Sequence, residues 1–303
     1  MPKITLAGTG GMLPLKNRWL TSCYIEHNGR AILIDCGEGT QIALSQFGVK
    51  ISRIDVILLT HFHADHVTGL PGLLLSIGNC SRTDPLDIYV PQGEKTAVEK
   101  LMYICGMLTY EVRVHELSVT EQSVFEIDGN GMTEGMSMPL RHSVNCLGYS
   151  IRYKRRPVFQ PEKAQALGIP IKFWKTLHGG ESVELDDGRI FTPEEVTENS
   201  RRDIKITYVT DTLPFDGISD LAKGSDLFIC EGMYGDLSQK ESMDKKGHML
   251  MQDACRLAKN AEVKQLWLTH YSPAMTDPQE YADTLSEIFG STTISSDGET
   301  AVL

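Results

Sequence analysis

Apolar positions along the chain fall into short runs separated by glycine-rich turns. Residues 3–7 (KITLA) are apolar and β-branched and stop at Gly8-Thr9-Gly10-Gly11, which predicts a strand running into a tight turn. Residues 22–26 and 31–35 flank Asn28-Gly29, the two-residue signal of a hairpin. A helix is predicted from about Thr40 to Phe47, and residues 55–59 (DVILL) form an apolar run of buried-strand length. Past His66 the spacing turns helical: Leu70, Leu73, Leu74 and Ile77 share a face, and Pro71 sits in a first turn, where proline is tolerated. A strand at 87–90, a helix after Gly93, and strands near 109–115, 122–126, 132–138 and 147–153 follow.

Residues 154–203 break the pattern. Their periodicity is weak, and they carry four prolines and several changes of charge sign. They read as an inserted, flexible arm with local hairpins. Strands then resume at 205–210, 226–230 and 265–269, with a helix over 248–259. This order of elements predicts an α/β protein: two packed sheets covered by helices, or one doubly wound sheet. The 303 residues are expected to form a single catalytic domain over 1–303 with the arm inserted at 154–203.

Charge sharpens this division. Asp+Glu outnumber Lys+Arg by 40 to 29, a net −11 that by itself argues against nucleic acid. The average conceals residues 152–178, where Arg152, Lys154, Arg155, Arg156, Lys163, Lys172 and Lys175 face only Glu162, a local +6 that leaves −17 for the rest. Tyr149, Tyr153, Phe159, Phe173 and Trp174 are interleaved with these cations. Phosphate-contacting cations beside aromatics that can stack on bases, or pack the arm, suit RNA. The seven cysteines are scattered and form no CxxC pair, as expected of free thiols in a reducing cytosol. MPKITLAGTG lacks the apolar stretch of a signal peptide and no run approaches a membrane span, so a cytoplasmic, soluble protein is expected.

The densest chemistry is Thr60-His61-Phe62-His63-Ala64-Asp65-His66, four potential metal ligands directly after a buried strand. His61 and His63 share a face of an extended stretch, and Asp65 and His66 fall on the turn into the next helix. Imidazole with carboxylate is a donor set for zinc, manganese or iron. His142, Asp211 and His270 each follow a predicted strand, as His61 does, so the topology can bring all of them to one sheet rim. Thr212 and Ser143 flank such positions and are candidate phosphate-oxygen contacts. The Gly8-Thr9-Gly10-Gly11 turn lacks the Lys-Ser/Thr of a phosphate loop and fits better as a turn beneath the metal site.

The HxHxDH string with later His, Asp and His at strand ends resembles the metallo-β-lactamase superfamily over the whole chain. LAGTGGMLP with Arg18 and Thr21, LIDCGEGTQ, THFHADHVTGLPGLL, and ALGIP followed by GESVELDDGRIFTPEEV narrow the resemblance to the ribonuclease Z family in its short form. The resemblance implies an αββα four-layer sandwich with an inserted arm. It implies two Zn²⁺, or Mn²⁺ or another divalent metal, one held by His61, His63 and His142, the other by Asp65, His66 and His270, with Asp211 bridging. It implies a phosphodiesterase and endoribonuclease that removes the 3′ trailer of tRNA precursors, with Asp65 as base and His248 as proton donor oriented by Glu231. Precursor tRNA would bind through the arm around 152–178, and the enzyme would be a homodimer.

The chain departs from the family pattern at Ala64, at Cys230-Glu231-Gly232-Met233, where only the Glu is kept, at Met249-Leu250, and at the arm tip Ile169–Trp174. These changes touch the substrate side. They leave open a hydrolase of small phosphodiesters such as cyclic nucleotides and, less favoured because every ligand position is filled, a non-catalytic RNA-binding member.

Overall fold

A computed structural model describes residues 1–198 and 201–303. Its described strands form two seven-stranded sheets and two small two-stranded ones, so the single doubly wound sheet is not the solution. In spatial order, the first large sheet contains Thr300–Val302, Lys3–Gly8, Ser22–His27, Arg30–Ile34, Ile54–Leu58, Leu86–Pro91 and Val112–Leu117. The second contains Thr292–Ile294, Leu266–Thr269, Leu227–Glu231, Ile204–Val209, Leu147–Tyr153, Thr133–Pro139 and Ser123–Glu126.

The strand Ile54–Leu58 shows how the layers are specified. Val56 and Leu58 face a core shared with Tyr149, Ile206, Ile229 and Trp267 of the second sheet. Ile57 and Leu59 face the other way, onto Leu70, Leu73, Leu74 and Ile77 of the helix Leu70–Asn79. A strand buried on both faces must be apolar throughout, which is why DVILL shows no alternation. The second sheet likewise packs its outer face on the helices Asp216–Ala222, Met251–Asn260 and Ala282–Ile288. The result is the αββα sandwich.

Strand direction places the site. Arg30–Ile34 and Ile54–Leu58 are parallel neighbours, as are Ile204–Val209, Leu227–Glu231 and Leu266–Thr269. Their carboxyl ends lie at one rim, where side chains from successive strands converge. Thr133–Pro139 is antiparallel to Leu147–Tyr153, which is antiparallel to Ile204–Val209, so it delivers His142 to the same rim.

Several boundaries differ from expectation. The helix expected over 248–259 begins only at Met251, leaving His248 on the extended approach to it. The strand expected over 109–115 begins at Val112; before it the Tyr110 hydroxyl donates to Leu74 O. Asp65 and His66 lie in a short helix, Ala64–Val67, of their own.

The arm has a small core. Val158–Phe159 pairs with Thr197–Glu198 at its root, and Val183–Glu184 pairs with Ile190–Phe191 farther out. Ala164, Ile169, Leu177, Val183, Leu185, Phe191 and Val196 are buried together, with Phe159, Phe173 and Trp174 packed against them. The Trp174 indole N–H donates to Ile169 O at 2.9 Å. Tyr149 and Tyr153 are buried in the core between the two sheets and are not free to stack on bases. Residues 199 and 200 of the expected arm lie outside the described residues. All seven cysteines are free thiols, six of them buried and Cys80 exposed. Among the described residues no helix is long and apolar enough to cross a membrane.

Candidate metal centre

Six of the nine histidines meet at the rim; His27, His115 and His178 do not. Donor atoms of His61, His63, His142 and Asp211 lie within 4.8 Å of one another, as do those of Asp65, His66 and His270. In the first group His61 Nε2 and His142 Nε2 lie 3.0 and 3.2 Å from His63 Nδ1. In the second, His66 Nε2 and His270 Nε2 are 3.1 Å apart, and Asp65 Oδ2 is 3.6 and 3.5 Å from them. Asp211 stands between the groups. Its Oδ2 faces His61 and His142 at 3.5 and 3.7 Å, and its Oδ1 faces His66 and His270 at 3.4 and 3.2 Å.

The arrangement fits divalent cations on two counts. Four ligands at about 2.1 Å in a tetrahedron stand roughly 3.4 Å apart, close to the spacing found. The second count is where the imidazole protons go. His66 Nδ1–H donates to Asp35 Oδ2 at 2.8 Å and His142 Nδ1–H to Gly247 O at 2.9 Å. His61 Nδ1 contacts Thr60 Oγ1 at 3.0 Å, and that hydroxyl in turn reaches Asp35 Oδ2 at 2.9 Å. With Nδ1 holding the proton, Nε2 of each presents a lone pair inward, the usual way a protein fixes a metal-binding imidazole.

The electrostatics agree. Burial, with His66 beside it, holds His61 well below the ordinary histidine value, and burial also lowers His63 and His142, so these three are neutral donors. Burial opposes a charge on His66, but Asp211 and Asp35 prevail and push it up to about 10, so its Nε2 is held where a positive charge is favoured, and a bound cation would take the place of that second proton. Burial likewise opposes ionisation of Asp211 and Asp65, yet the surrounding imidazoles hold both below the usual carboxylate range. A buried cluster of ionised carboxylates calls for positive charge, and a cation supplies it.

The glycine turn lies beneath this centre. A Cβ on Gly11 would meet His270 Cε1 at 2.7 Å, so only glycine lets the backbone pass there. Met12 N–H donates to Asp65 Oδ2 at 2.6 Å. Glu231, fully buried, accepts from Thr212 N–H at 2.6 Å and His248 Nδ1–H at 3.0 Å. Burial alone would lower His248, but Glu231 raises it to about 9, so it is protonated at neutral pH. The ring of His248 stacks on His270 with centroids 5.7 Å apart. Thr212, a candidate phosphate contact, spends its hydroxyl internally: it accepts from Arg141 N–H and donates to Leu213 O. Ser143 is exposed at the rim.

Sequence reasoning missed Asp35 as a functional residue. A weak signal was present, since Asp35 follows a mostly apolar strand as His61 and Asp211 do. It also shares with Asp211 and His270 a left-handed backbone, φ 59° against 52° and 58°, that turns each side chain inward at a strand end.

Two helix-covered sheets with a His/Asp centre at one rim define a metallo-β-lactamase-fold hydrolase of the metal-dependent kind. The structure is similar to that of the short form of human tRNase Z (TM-score 0.71, 24% identity, covering 99% of this chain and 98% of that one). It is equally similar to the metallo-β-lactamase-fold protein YhfI from Bacillus subtilis (TM-score 0.71, 18% identity, 99% of this chain and 98% of that one). In sequence the chain is 45% identical to ribonuclease Z of Lachnospira eligens over 100% of its own length and 98% of the relative's. It is 44% identical to ribonuclease Z of Clostridium acetobutylicum, again over 100% and 98%. The family profile of the anti-Pycsar protein Apyc1 also matches, over residues 2–120. The chain belongs to the ribonuclease Z family of tRNA 3′-processing endoribonucleases.

Proposed function

We propose that this chain removes the 3′ trailer from tRNA precursors in the cytoplasm with two divalent ions, Zn²⁺ or Mn²⁺. His61, His63 and His142 hold one, Asp65, His66 and His270 the other, and Asp211 lies between. The observation that carries the two-ion centre is the split of Asp211, one oxygen toward each group, and membership of the ribonuclease Z family supports the substrate. When bound, two such ions polarise a phosphodiester and lower the pKa of water. The chain's own residues do the rest. Asp65, held ionised, anchors the Met12 amide and offers its second oxygen to the proton of the attacking water. That low proton affinity suits Asp65 to orienting the water more than to keeping its proton. His248 carries a proton at neutral pH and delivers it to the leaving oxygen. Glu231 aims that ring, and its second oxygen takes the Thr212 amide next to Asp211, tying proton donor and metal bridge together.

Residues 154–203 are the handle that grips RNA through Lys163, Lys172 and Lys175, all exposed. A homodimer is supported by the contiguous exposed apolar side chains Tyr103, Ile104 and Met107, which are 87%, 73% and 98% accessible. The test is cleavage of a 3′-extended tRNA precursor and of a small chromogenic phosphodiester by the metal-loaded protein. Both should be cut, the first leaving a 3′-hydroxyl. Deleting residues 155–200 should abolish the first activity and spare the second. Intact precursor alongside turnover of small diesters would favour the small-phosphodiester reading instead.

A further inference from the structure

A cavity of about 700 Å³ opens at the opposite end of the sandwich from the metal centre, where the arm leaves the body. Ile204, on its wall, begins the strand whose far end leads to Asp211. At about 3.3 Å per residue the two lie roughly 20 Å apart, so the cavity is not an extension of the metal site. Its volume is that of a small-molecule pocket, ~300–1,000 Å³. Among the described residues the metal-capable groups all belong to the rim, so this second site is suited to binding and not to metal chemistry.

The lining mixes apolar, cationic and acidic side chains; of its two carboxylates, Asp55 is held by Arg30 and Arg82, and Asp128 remains. Ile32, Val56, Tyr153 and Phe159 give an apolar, partly aromatic floor. Arg155, Arg156 and Arg201 line it as well. Other cations at this end are neutralised: Arg30 meets Asp55 at 2.6 Å, Lys154 meets Glu134 at 3.2 Å, and Arg202 pairs with Asp226. Among the described residues no carboxylate pairs with Arg155, Arg156 or Arg201, and Arg155 Nη2 reaches only Met1 Sδ, at 3.3 Å. Three guanidiniums around one opening repel one another, and a multiply charged oxyanion offsets that repulsion through forked hydrogen bonds. A planar apolar body covers the floor.

We propose that this cavity binds a free mononucleotide-sized phosphate ester, its ring beside the half-buried Phe159 and its phosphate on Arg155, Arg156 and Arg201. The shared chemistry could also come from one unit of an RNA strand, and the experiment separates the two. Calorimetric titration of the metal-loaded protein uses AMP, adenosine and a trinucleotide. AMP is expected to bind one per chain, and adenosine about tenfold or more weaker, because the phosphate contacts are lost. The double substitution Arg155→Ala/Arg201→Ala is expected to weaken AMP by a similar factor while leaving metal content and turnover of the chromogenic diester unchanged. Three results overturn the proposal: AMP binding that the double substitution leaves intact, AMP that competes with the chromogenic diester and so sits at the metal centre, or a trinucleotide that binds where AMP does not. Absence of AMP binding up to millimolar concentration overturns it as well.

Discussion

Replacing Asp35 by Asn tests how the centre is assembled, because it changes no volume and touches no proposed ligand atom. Asp35 is fully buried, and both of its oxygens accept: Oδ1 from Thr60 N–H at 2.8 Å, Oδ2 from His66 Nδ1–H at 2.8 Å, with the Thr60 hydroxyl shared between them. An asparagine must put an NH₂ where one of those oxygens was. Set toward Thr60, the NH₂ opposes a backbone N–H that cannot move its proton. Set toward His66, it opposes Nδ1–H, and the clash is relieved only by shifting that proton to Nε2, the atom that faces His270 and Asp65. Either way one buried donor goes unmatched, at about 1–3 kcal/mol. The second orientation also removes a lone pair from the metal nest. Loss of such an outer partner typically costs about 10–100-fold in metal affinity, or roughly 1.4–2.8 kcal/mol. The assay is competition for Zn²⁺ against a chromogenic chelator, with circular dichroism to verify the fold and diester turnover at saturating metal. Asp35→Asn should be folded, should bind metal at least about tenfold more weakly, and should recover much of its activity when metal is in excess. A folded variant with wild-type metal affinity would refute the reasoning.

Three further outcomes follow from the geometry. The raised pKa of His248, about 9, means its proton is present at neutral pH and lost as pH rises through that value, so diester turnover should fall on the alkaline side. Glu231→Gln removes the charge that raises it, and the alkaline limb of the pH profile should move to lower pH; an unmoved limb would dissociate His248 from it. Substituting Lys163, Lys172 and Lys175 together by Ala should raise KM for precursor tRNA and flatten its salt dependence by about two units of log–log slope, with the small diester unaffected. Met107→Glu places a charge on the most exposed apolar residue of the Tyr103–Met107 patch and should convert a dimer to a monomer by light scattering; an unchanged mass would locate any dimer contact elsewhere.

The sheets were legible because their strands are buried on two faces or bounded by strong turns. DVILL and the Asn28-Gly29 hairpin are where expectation and structure agree most closely. The weakly patterned parts were not legible. Thr300–Val302 is a three-residue edge strand that pairs with Lys3–Gly8 from 295 or more positions away, and a local pattern carries no information about such a partner. The helix at Met251 was placed too early because His248 and Met249 look helical by composition; in the structure the Met249 amide and the His248 ring both turn toward Glu231 instead. The proposed ligands stood out since histidines are rare and follow strands. Asp35 did not, because a lone carboxylate in a glycine-rich segment has many possible uses, and only the fold brings it against His66 and Thr60.

The net charge of −11 looks different once the arm is placed on the body. Over residues 154–203 nine Lys and Arg are balanced by nine Asp and Glu, so the insertion as a whole is neutral. Its charges are unevenly distributed along the chain, with Glu162 and Arg189 as exceptions. Arg155, Arg156, Arg201 and Arg202 stand at the root, Lys163, Lys172 and Lys175 lie on the first helical half, and Glu181 to Asp187 with Glu194 and Glu195 occupy the returning half. An RNA strand would be attracted to the lysine-bearing stretch and repelled by the acidic one. The proposed grip on RNA thus needs no basic protein, only a local stretch of cations on a neutral arm whose fold is set by its buried core of Ala164, Leu177, Phe191 and Val196. Of the root cations, Arg155, Arg156 and Arg201 line the cavity, and the lysines farther out are left for the longer polyanion.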